Sequence, residues 1–401
     1  NKMRCKFSKS RLRPFMSFGR MPMANGFLSK KDFHKEFFYD LEVGFNQKNY
    51  LFQVNDHPRS PHIFNNNYPF YTNKSKYMTK HFKKYFLWAK KNFLRRNSKI
   101  IEIGSNDGTF LKNFKNSGFN HLGFEPSSNV AKYSKRINKV NVVNKFFNQK
   151  NCKNFVKFKS STDLICAANV ISHIPNLKDM IEGIDLLLAK KGVFVFEEPY
   201  LGSMFNKTSY DQIYDAHIFI FSLHSIRSIF NEFNFDLIDA LPQKTHGGSM
   251  RYVIARKGER KIKKQVSKLI KIEKMQHLNK ISSCIKFKKN CLKSKSRFQN
   301  KIFSLKKKGN KIYGYAASAK SSTVLNFCGI DHRYIDYVVD STKEKIGKYT
   351  PGTHIPIVSV KFFRKNYPDV VILNSWNHKK EIISKEKNYI RKGGRFISHV
   401  K

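Results

Sequence analysis

Hydrophobic positions change their spacing several times between residues 80 and 256. Stretches in which apolar residues recur every three or four positions predict helices, and short continuous apolar runs predict buried strands. The predicted helices cover 82–93, the segment after Gly108 and 180–188, and the predicted strands lie at Ile100, Leu122, 163–169 and 192–197. Strands and helices that alternate in this way are typical of a parallel sheet covered by helices.

The rest of the chain divides into three further regions. Residues 1–79 are rich in turn-forming clusters and predict a small loop-rich domain. Residues 257–308 combine many lysines with apolar residues at helical spacing, which predicts a basic helical connector. Residues 309–401 begin a second alternation of strands and helices. We therefore predict an α/β protein with a central Rossmann-like domain at 80–256 and a second Rossmann-like domain at the C-terminal end.

Composition adds a strong positive charge. Lys and Arg number 77 against 28 Asp and Glu, which gives a formal net charge of +49 in 401 residues. Such an excess favours nucleic acid or an anionic surface as a partner. It is spread over the whole chain together with many Asn, Ile and Phe, as in a proteome biased toward AT-rich codons, so both explanations stay open.

Cysteine usage and hydropathy bear on the compartment. The six cysteines form no C-x-x-C pair, which favours a reducing cytoplasm over a disulfide framework or a self-evident zinc site. The apolar runs are too short to span a bilayer, and no apolar leader segment follows the basic start. We therefore expect a cytoplasmic protein without a membrane segment.

The stretch Glu102-Ile-Gly-Ser-Asn-Asp-Gly gives the strongest chemical signal. An apolar run, a glycine turn and a helix come in that order, and Glu125 ends the next apolar run, where a doubly wound sheet places the residue that binds ribose hydroxyls. The spacing of Gly104 and Gly108 is not that of a dinucleotide site, and Glu102 would repel a pyrophosphate. A carboxylate there suits sulfonium and ammonium charges, so the stretch predicts an S-adenosylmethionine site in a class I methyltransferase domain.

A weaker signal lies in the C-terminal region. Gly314 is followed by Lys320-Ser-Ser, but Ala319 stands where a phosphate loop has its second glycine, which argues against nucleotide hydrolysis. A glycine turn, a helix N-terminus and Lys320 together suit an anion such as a diphosphate.

Eight stretches resemble, in the same order, the S-adenosylmethionine-dependent sugar C-methyltransferases, which act on keto-deoxysugars carried by dTDP. They are Met21-Pro-Met-Ala-Asn-Gly-Phe, Glu102-Ile-Gly-Ser-Asn-Asp-Gly, Ala168-Asn-Val-Ile-Ser-His-Ile, Glu198-Pro-Tyr-Leu, Tyr214-Asp-Ala-His, His246-Gly-Gly-Ser-Met-Arg, Gly314-Tyr-Ala-Ala-Ser-Ala-Lys and Tyr349-Thr-Pro-Gly-Thr-His-Ile-Pro-Ile. The resemblance implies a small zinc-binding N-terminal domain, a central cofactor domain and a C-terminal nucleotide-fold domain that helps to enclose a sugar nucleotide.

The resemblance also implies roles for individual residues. His217 matches the family's catalytic histidine, which makes it our candidate for the general base, since imidazole titrates near neutral pH. Tyr214, His173 and Tyr68 match residues around the reacting centre. The cofactor set comprises Glu102, Gly104, Asn106, Gly108, Glu125, Pro126 and Asn169, and the substrate set comprises His246, Arg251 and Lys320.

The chain departs from the family at two places. Where the family has paired cysteines, this sequence has Cys5 with Ser8 and Asn46 with Asn49, and a single thiolate cannot hold zinc, so we expect no structural zinc. The family usually has Glu directly before the catalytic histidine, and Ala216 stands there in this chain. Loss of that carboxylate lowers the basicity of the histidine or loosens its orientation.

Two other functions stay open at this stage. The positive charge permits an RNA methyltransferase, although the stretch 167–173 lacks the proline and aromatic residue of base N-methylating enzymes, and we expect no specific nucleic-acid partner. Ala216 and the missing zinc ligands permit a non-catalytic protein that binds a sugar nucleotide or the cofactor. The sequence indicates neither the sugar, nor the methylated carbon, nor the oligomeric state.

Overall fold

The computed structural model describes residues 4–54, 68 and 70–400, and a mixed sheet forms its centre. The sheet contains β4 (Lys99–Ile103), β5 (Asn120–Phe124), β6 (Val142–Val143), β7 (Thr162–Ala168), β8 (Leu188–Pro199), β10 (Phe235–Gln243) and β11 (Ser249–Arg256). These seven strands lie in the order β10-β11-β8-β7-β4-β5-β6. Strand β11 is antiparallel to both of its neighbours, and the remaining pairs are parallel. The predicted α/β class is confirmed.

Burial on both faces explains why the inner strands are continuous apolar runs. Residues 193–196 of β8 are fully buried, as are 164–167 of β7. Parallel strands covered by helices on both sides require such runs. The helices of this region are α1 (Lys76–Phe93), α2 (Leu111–Asn116), α3 (Ser128–Tyr133), α4 (Gln149–Cys152), α5 (Leu177–Leu187), α6 (Leu201–Lys207) and α7 (Leu223–Asn231).

A second sheet is formed mainly by the N-terminal region. It contains β1 (Arg13–Pro22), β2 (Phe38–Asn46), β3 (Leu51–Val54) and β9 (Phe219–Ile220), all antiparallel and paired in that order. Two register shifts interrupt the pairing of β1 with β2, so the two-residue period of a strand is broken there. For this reason the sequence indicates a loop-rich region and none of these strands.

The basic connector consists of two helices, α8 (Lys264–Met275) and α9 (Ile281–Lys307). The C-terminal unit that follows is a parallel five-stranded sheet in the order β14-β13-β12-β15-β16. Its strands are β12 (Ile312–Tyr315), β13 (Tyr337–Asp340), β14 (Ile357–Ser359), β15 (Val370–Leu373) and β16 (Arg395–Ile397). Its helices are α10 (Ala319–Cys328), α11 (Val360–Lys365), α12 (Lys379–Lys385) and α13 (Lys387–Arg391).

The N-terminal sheet, the connector and the C-terminal unit share one hydrophobic core, which also includes residues of the central region. Tyr210 of the central region packs against two rings of that core, with ring centres 6.2 Å from Phe18 and 5.4 Å from Phe327. The turn that follows Tyr210 is therefore held where the three parts of the chain meet. In the described part of the chain, no helix combines the length and the apolar character needed to cross a membrane.

Candidate active site

A cavity of about 750 Å³ opens at the carboxyl ends of β4, β5 and β7. This edge of a doubly wound sheet, next to the point where the strand order reverses, is the usual place for a ligand. The cavity brings together most of the predicted site residues, namely Tyr68, Glu102, Gly104, Asn106, Glu125, Pro126, Asn169, His173, Tyr214, His217 and His246. Residues from all three parts of the chain line it, including Asn25 and Ala319.

The loop after β4 forms one end of the cavity, which we call the cofactor end. Gly104 and Asn106 have positive φ angles of 66° and 46°, and this bend turns the Asn106 backbone N–H toward Glu125 Oε2 at 2.8 Å. A Cβ atom on Gly104 would collide with Val170, so only glycine fits there. Ser127 N donates to the other oxygen of Glu125 at 2.8 Å, which fixes the carboxylate at the end of β5.

Two buried carboxyl groups lie close together at the cofactor end. Glu102 is buried, and its Oε2 has no hydrogen-bond partner within the described residues. Burial, together with the nearby Asp107 and Glu125, raises the pKa of Glu102 well above its ordinary value. Burial also raises the pKa of Glu125. An unpartnered carboxyl beside a fixed carboxylate fits a cofactor that carries sulfonium and ammonium groups and two ribose hydroxyls.

Three predicted site residues do not line the cavity, namely Gly108, Arg251 and Lys320. A Cβ on Gly108 would meet Ser134 Oγ at 2.5 Å, so this glycine allows close packing beneath the loop. Arg251 Nε donates to Glu197 Oε1 at 2.7 Å, and its guanidinium lies 4.0 Å from the ring centre of Tyr85. The buried carboxylate of Glu197 thus satisfies the guanidinium of Arg251, and its predicted substrate contact stays a prediction.

The other end of the cavity, which we call the acceptor end, contains a histidine–tyrosine pair. His217 Nδ1 lies 2.6 Å from the carbonyl oxygen of Gln212, and Nε2 lies 2.7 Å from the Tyr214 hydroxyl. A carbonyl can only accept, so Nδ1 carries the hydrogen and Nε2 accepts from the phenol. Burial and the neighbouring His173 hold the pKa of His217 well below its usual range, which keeps the ring neutral.

His173 completes the acceptor end. Its ring centre lies 5.0 Å from that of His217, and its Nδ1 lies 2.5 Å from the carbonyl oxygen of Ala216. Burial lowers the pKa of His173 to about 4. Tyr68 also lines the cavity, and burial together with the nearby Glu125 raises the pKa of its phenol. The side chains near the acceptor are therefore neutral at pH 7.

The segment that carries His173 is held by a carboxylate that is not among the predicted site residues. Glu198 Oε1, at the end of β8, accepts from Val170 N at 2.8 Å and from Ile171 N at 2.6 Å. Burial raises the pKa of Glu198 to about 7. Because Val170 also packs on Gly104, Glu198 fixes the segment that joins the two ends of the cavity.

Lys320 of the C-terminal unit and His246 of the central region form a cluster of polar groups beside the acceptor end. Lys320 Nζ and His246 Nε2 are buried and have no hydrogen-bond partner within the described residues. Both groups are close enough to His217 to lower its pKa further. Burial lowers the pKa of His246 to about 3 and also lowers that of Lys320. Unpartnered donors at the N-terminus of α10 suit an anionic group.

Asp211 ties this cluster to the histidine–tyrosine pair. Trp376 Nε1 donates to Asp211 Oδ2 at 2.9 Å, and His399 Nε2 lies 3.1 Å from Asp211 Oδ1. The next residue is Gln212, whose carbonyl orients His217. The sequence gives no signal for these two residues. Asp211 acts through partners that are 165 and 188 residues away, and Gln212 acts through its backbone carbonyl.

Three family models match successive parts of the chain. A proposed zinc binding domain matches residues 5–64, a methyltransferase domain matches 76–240, and a C-methyltransferase C-terminal domain matches 244–400. Among curated proteins, C-methyltransferase NovU of Streptomyces niveus is 26% identical over 385 residues, which cover 95% of this chain and 91% of NovU.

Two solved structures each match less than half of the chain. The PH0226 protein of Pyrococcus horikoshii OT3 matches 47% of this chain and 96% of its own, with 13% identity and a TM-score of 0.38. An S-adenosylmethionine-dependent methyltransferase of Anabaena variabilis matches 44% of this chain and 83% of its own, with 16% identity and a TM-score of 0.35. At these values the two structures support no conclusion about the site.

Proposed function

We propose that the chain is an S-adenosylmethionine-dependent C-methyltransferase whose acceptor is a keto-deoxysugar carried by a nucleoside diphosphate. One observation carries the proposal: a single cavity joins the carboxylate pair of the cofactor end to a neutral histidine–tyrosine pair. The similarity to NovU, a C-methyltransferase, supports the same class of reaction.

In this proposal the cofactor end binds S-adenosylmethionine. Glu125 accepts from the ribose hydroxyls, the bend at Gly104 allows the backbone to approach, and Asn106, Pro126 and Asn169 complete the lining. Glu102 faces the positive charges of the cofactor. The cofactor supplies an electrophilic methyl group. The protein must therefore make the acceptor carbon of the sugar nucleophilic.

A ketone next to the acceptor carbon allows this, because removal of the α-proton then gives an enolate. His217 Nε2 takes the α-proton of the sugar, and the electrons of the broken C–H bond form an enolate. Tyr214 donates its hydroxyl hydrogen toward His217 Nε2 in the substrate-free protein and is therefore the first group to be displaced or to relay the proton. In this proposal His173 and Tyr68, which line the same cavity, stabilise the enolate oxygen as it develops.

The nucleotide end of the substrate has its own proposed contacts. Lys320 and His246 are unpartnered donors beside the N-terminus of α10, and a diphosphate there would satisfy both groups. Lys320 and His246 both lower the pKa of His217. Their proximity to His217 supports a substrate in which the sugar is attached directly to its diphosphate.

Mass spectrometry of the purified chain with S-adenosylmethionine and a panel of keto-deoxysugar nucleotides tests the proposal. We expect a mass gain of one methylene unit in a single member of the panel and no gain in the matching sugars without a ketone. Methylation of total RNA by the same preparation, with no mass gain in any sugar nucleotide, would show that the acceptor is RNA. Binding of a sugar nucleotide without turnover would show that the chain is a binding protein and not an enzyme.

A further inference from the structure

Two tight turns meet at the edge of the N-terminal sheet. The first contains Cys5 and Ser8, and the second, which joins β2 to β3, contains Asn46 and Asn49. Cys5, Asn46 and Asn49 are each at most 1% exposed. These are the four positions at which the family implies a zinc-binding cysteine set, so their contacts show whether this chain could bind the metal.

The residues present do not fit a zinc ion. Cys5 supplies one thiol, whereas a structural zinc site needs four sulfur or imidazole ligands. In the ranges that the structure describes, no group of three or more His, Cys, Asp or Glu residues is arranged to hold a metal. The amide nitrogens of Asn46 and Asn49 act as donors here, and a donor cannot coordinate a cation.

Hydrogen bonds join the two turns directly. Asn46 Nδ2 donates to Ser10 Oγ at 2.8 Å and to the Arg11 carbonyl at 3.0 Å, and Ser10 Oγ lies 2.7 Å from Ser8 Oγ. Asn46 Oδ1 in turn accepts from Asn49 N at 2.8 Å. The side chain of Asn46 therefore links the first turn to the second with its donor and its acceptor both used.

Asn49 extends this connection to the central domain. Its Nδ2 donates to Ser228 Oγ at 3.1 Å on α7 and to Glu232 Oε1 at 2.9 Å just beyond that helix. The contact joins residues about 180 positions apart in sequence. A zinc ion bound only between the two turns would not reach α7, so Asn49 adds a link that a closed tetrahedral site does not provide.

We propose that this amide–hydroxyl cluster, made of Ser8, Ser10, Asn46 and Asn49, replaces the structural zinc of the family. The cluster fastens the two turns to each other and to α7, and the N-terminal sheet consequently folds without metal. Asn46 uses both its amide donor and its carbonyl acceptor within the cluster, and Asn49 uses its amide donor, so these buried groups stabilise the fold through the bonds they form. The proposal concerns structure only and does not depend on which acceptor the enzyme methylates.

Metal content is the first test. The full chain, purified without chelators, should contain far less than one zinc per chain, and neither chelator nor added zinc should change its melting temperature. One zinc per chain that resists dialysis, together with a lower melting temperature after chelation, would overturn the proposal.

Removal of the central amide is the second test. Asn46→Ala leaves the Arg11 carbonyl and the Asn49 N–H without partners and should lower the melting temperature by an amount on the order of 5 °C, which added zinc should not restore. Lys48→Ala, an exposed change in the same turn, is the matched control and should have almost no effect. Equal melting temperatures for the two variants would show that the cluster does not hold the turns together.

Restoration of sulfur is the third test and remains informative if Asn46→Ala fails to fold. The triple variant Ser8→Cys, Asn46→Cys, Asn49→Cys joins three new thiols to Cys5 and should bind one Co²⁺ with the absorption bands of tetrahedral thiolate ligation. Adding Cys5→Ser to the same variant removes the fourth thiol and should abolish those bands. A triple variant that folds but binds no Co²⁺ would mean that the turns no longer occupy the positions of a zinc site, and replacement would be the wrong description.

Discussion

The cofactor end and the acceptor end of the cavity are built in different ways. The cofactor end is formed mainly by one continuous stretch, from Glu102 to Pro126, within a single strand–helix–strand unit. The acceptor end combines side chains that are far apart in sequence, namely Tyr68, His173, Tyr214, His217, His246 and Ala319. The chain departs from the family that it resembles at the acceptor end, at Ala216, and keeps the expected residues at the cofactor end. Binding of the methyl donor and activation of the acceptor are therefore separable, and mutations at the two ends should affect different measurements.

The largest effect should come from His217→Asn. If Nε2 takes the α-proton, turnover should fall on the order of 10²-fold or more while the affinity for S-adenosylmethionine stays nearly unchanged. Exchange of solvent deuterium into the α-position of the sugar, measured without methyl transfer, isolates this step. Undiminished exchange in the variant would leave Tyr214 or His173 as the base.

Glu125→Ala tests the opposite end. Loss of a carboxylate that accepts from two hydroxyls should weaken the binding of S-adenosylmethionine by about 2 to 3 kcal/mol. Isothermal titration calorimetry measures this change, and Asp163→Ala, a carboxylate outside the cavity lining, provides a comparison. Equal affinities for the Glu125 variant and the unmodified protein would remove the residue from the cofactor site.

Glu198→Gln asks whether the segment between the two ends is held by a titrating group. The pKa of Glu198 is raised by burial to about 7 from 4.5, so the folded state keeps a proton that the unfolded state has lost. Stability should consequently fall as pH rises between about 4.5 and 7 and stay level above that range. The glutamine variant should lack this fall. The free energy of unfolding of the variant minus that of the unmodified protein, measured by urea unfolding, should therefore be larger at pH 8 than at pH 5 by an amount on the order of 2 kcal/mol. Parallel pH profiles for the two proteins would contradict the assignment.

Lys320→Met tests the anion contact of the acceptor end. Because methionine keeps the length of the side chain and removes its charge, the KM for a sugar nucleotide should rise by about tenfold while the affinity for S-adenosylmethionine is preserved. Lys348→Met, an exposed lysine of the same unit, is the control. Unchanged KM values would place the diphosphate elsewhere in the cavity.

The smallest effect should come from Ala216→Glu. A carboxylate beside His217 raises the basicity of the imidazole, so the rate should increase a few-fold or its pH optimum should move upward. A lower rate with the same pH optimum would mean that the site has been rebuilt around alanine and that glutamate crowds it.

The same contrast between the two ends explains what the sequence could predict. Gly104 and Glu125 are recognisable because their spacing follows from one strand–helix–strand unit, and the structure brings both to the cavity. The environment of Arg251 depends on strand pairing, since this residue lies opposite Glu197 in the register of β11 with β8. Nothing in the local sequence reveals that register, so the ion pair could not be predicted.

Two further differences between the sequence-based prediction and the structure have local physical causes. Gly108 has the positive φ that its motif requires, but spacing alone cannot distinguish approach to a ligand from packing against Ser134. Gln212 acts through its carbonyl, which every residue has, so no side-chain pattern indicates its contact with His217. The identities of the proposed catalytic residues came from the family resemblance, and their contacts came from the structure.

The bonds of Asp211 have a consequence for how the enzyme is made. His399 lies 188 residues beyond Asp211, and Trp376 also belongs to the C-terminal unit. Domains fold in the order in which they leave the ribosome, so a growing chain can assemble the cofactor loop well before these two partners exist. The turn that carries Gln212 gains its anchors only when the C-terminal unit has folded against it. A nascent or truncated polypeptide should therefore bind the methyl donor before it can seat His217, and catalytic competence should be acquired late in biosynthesis.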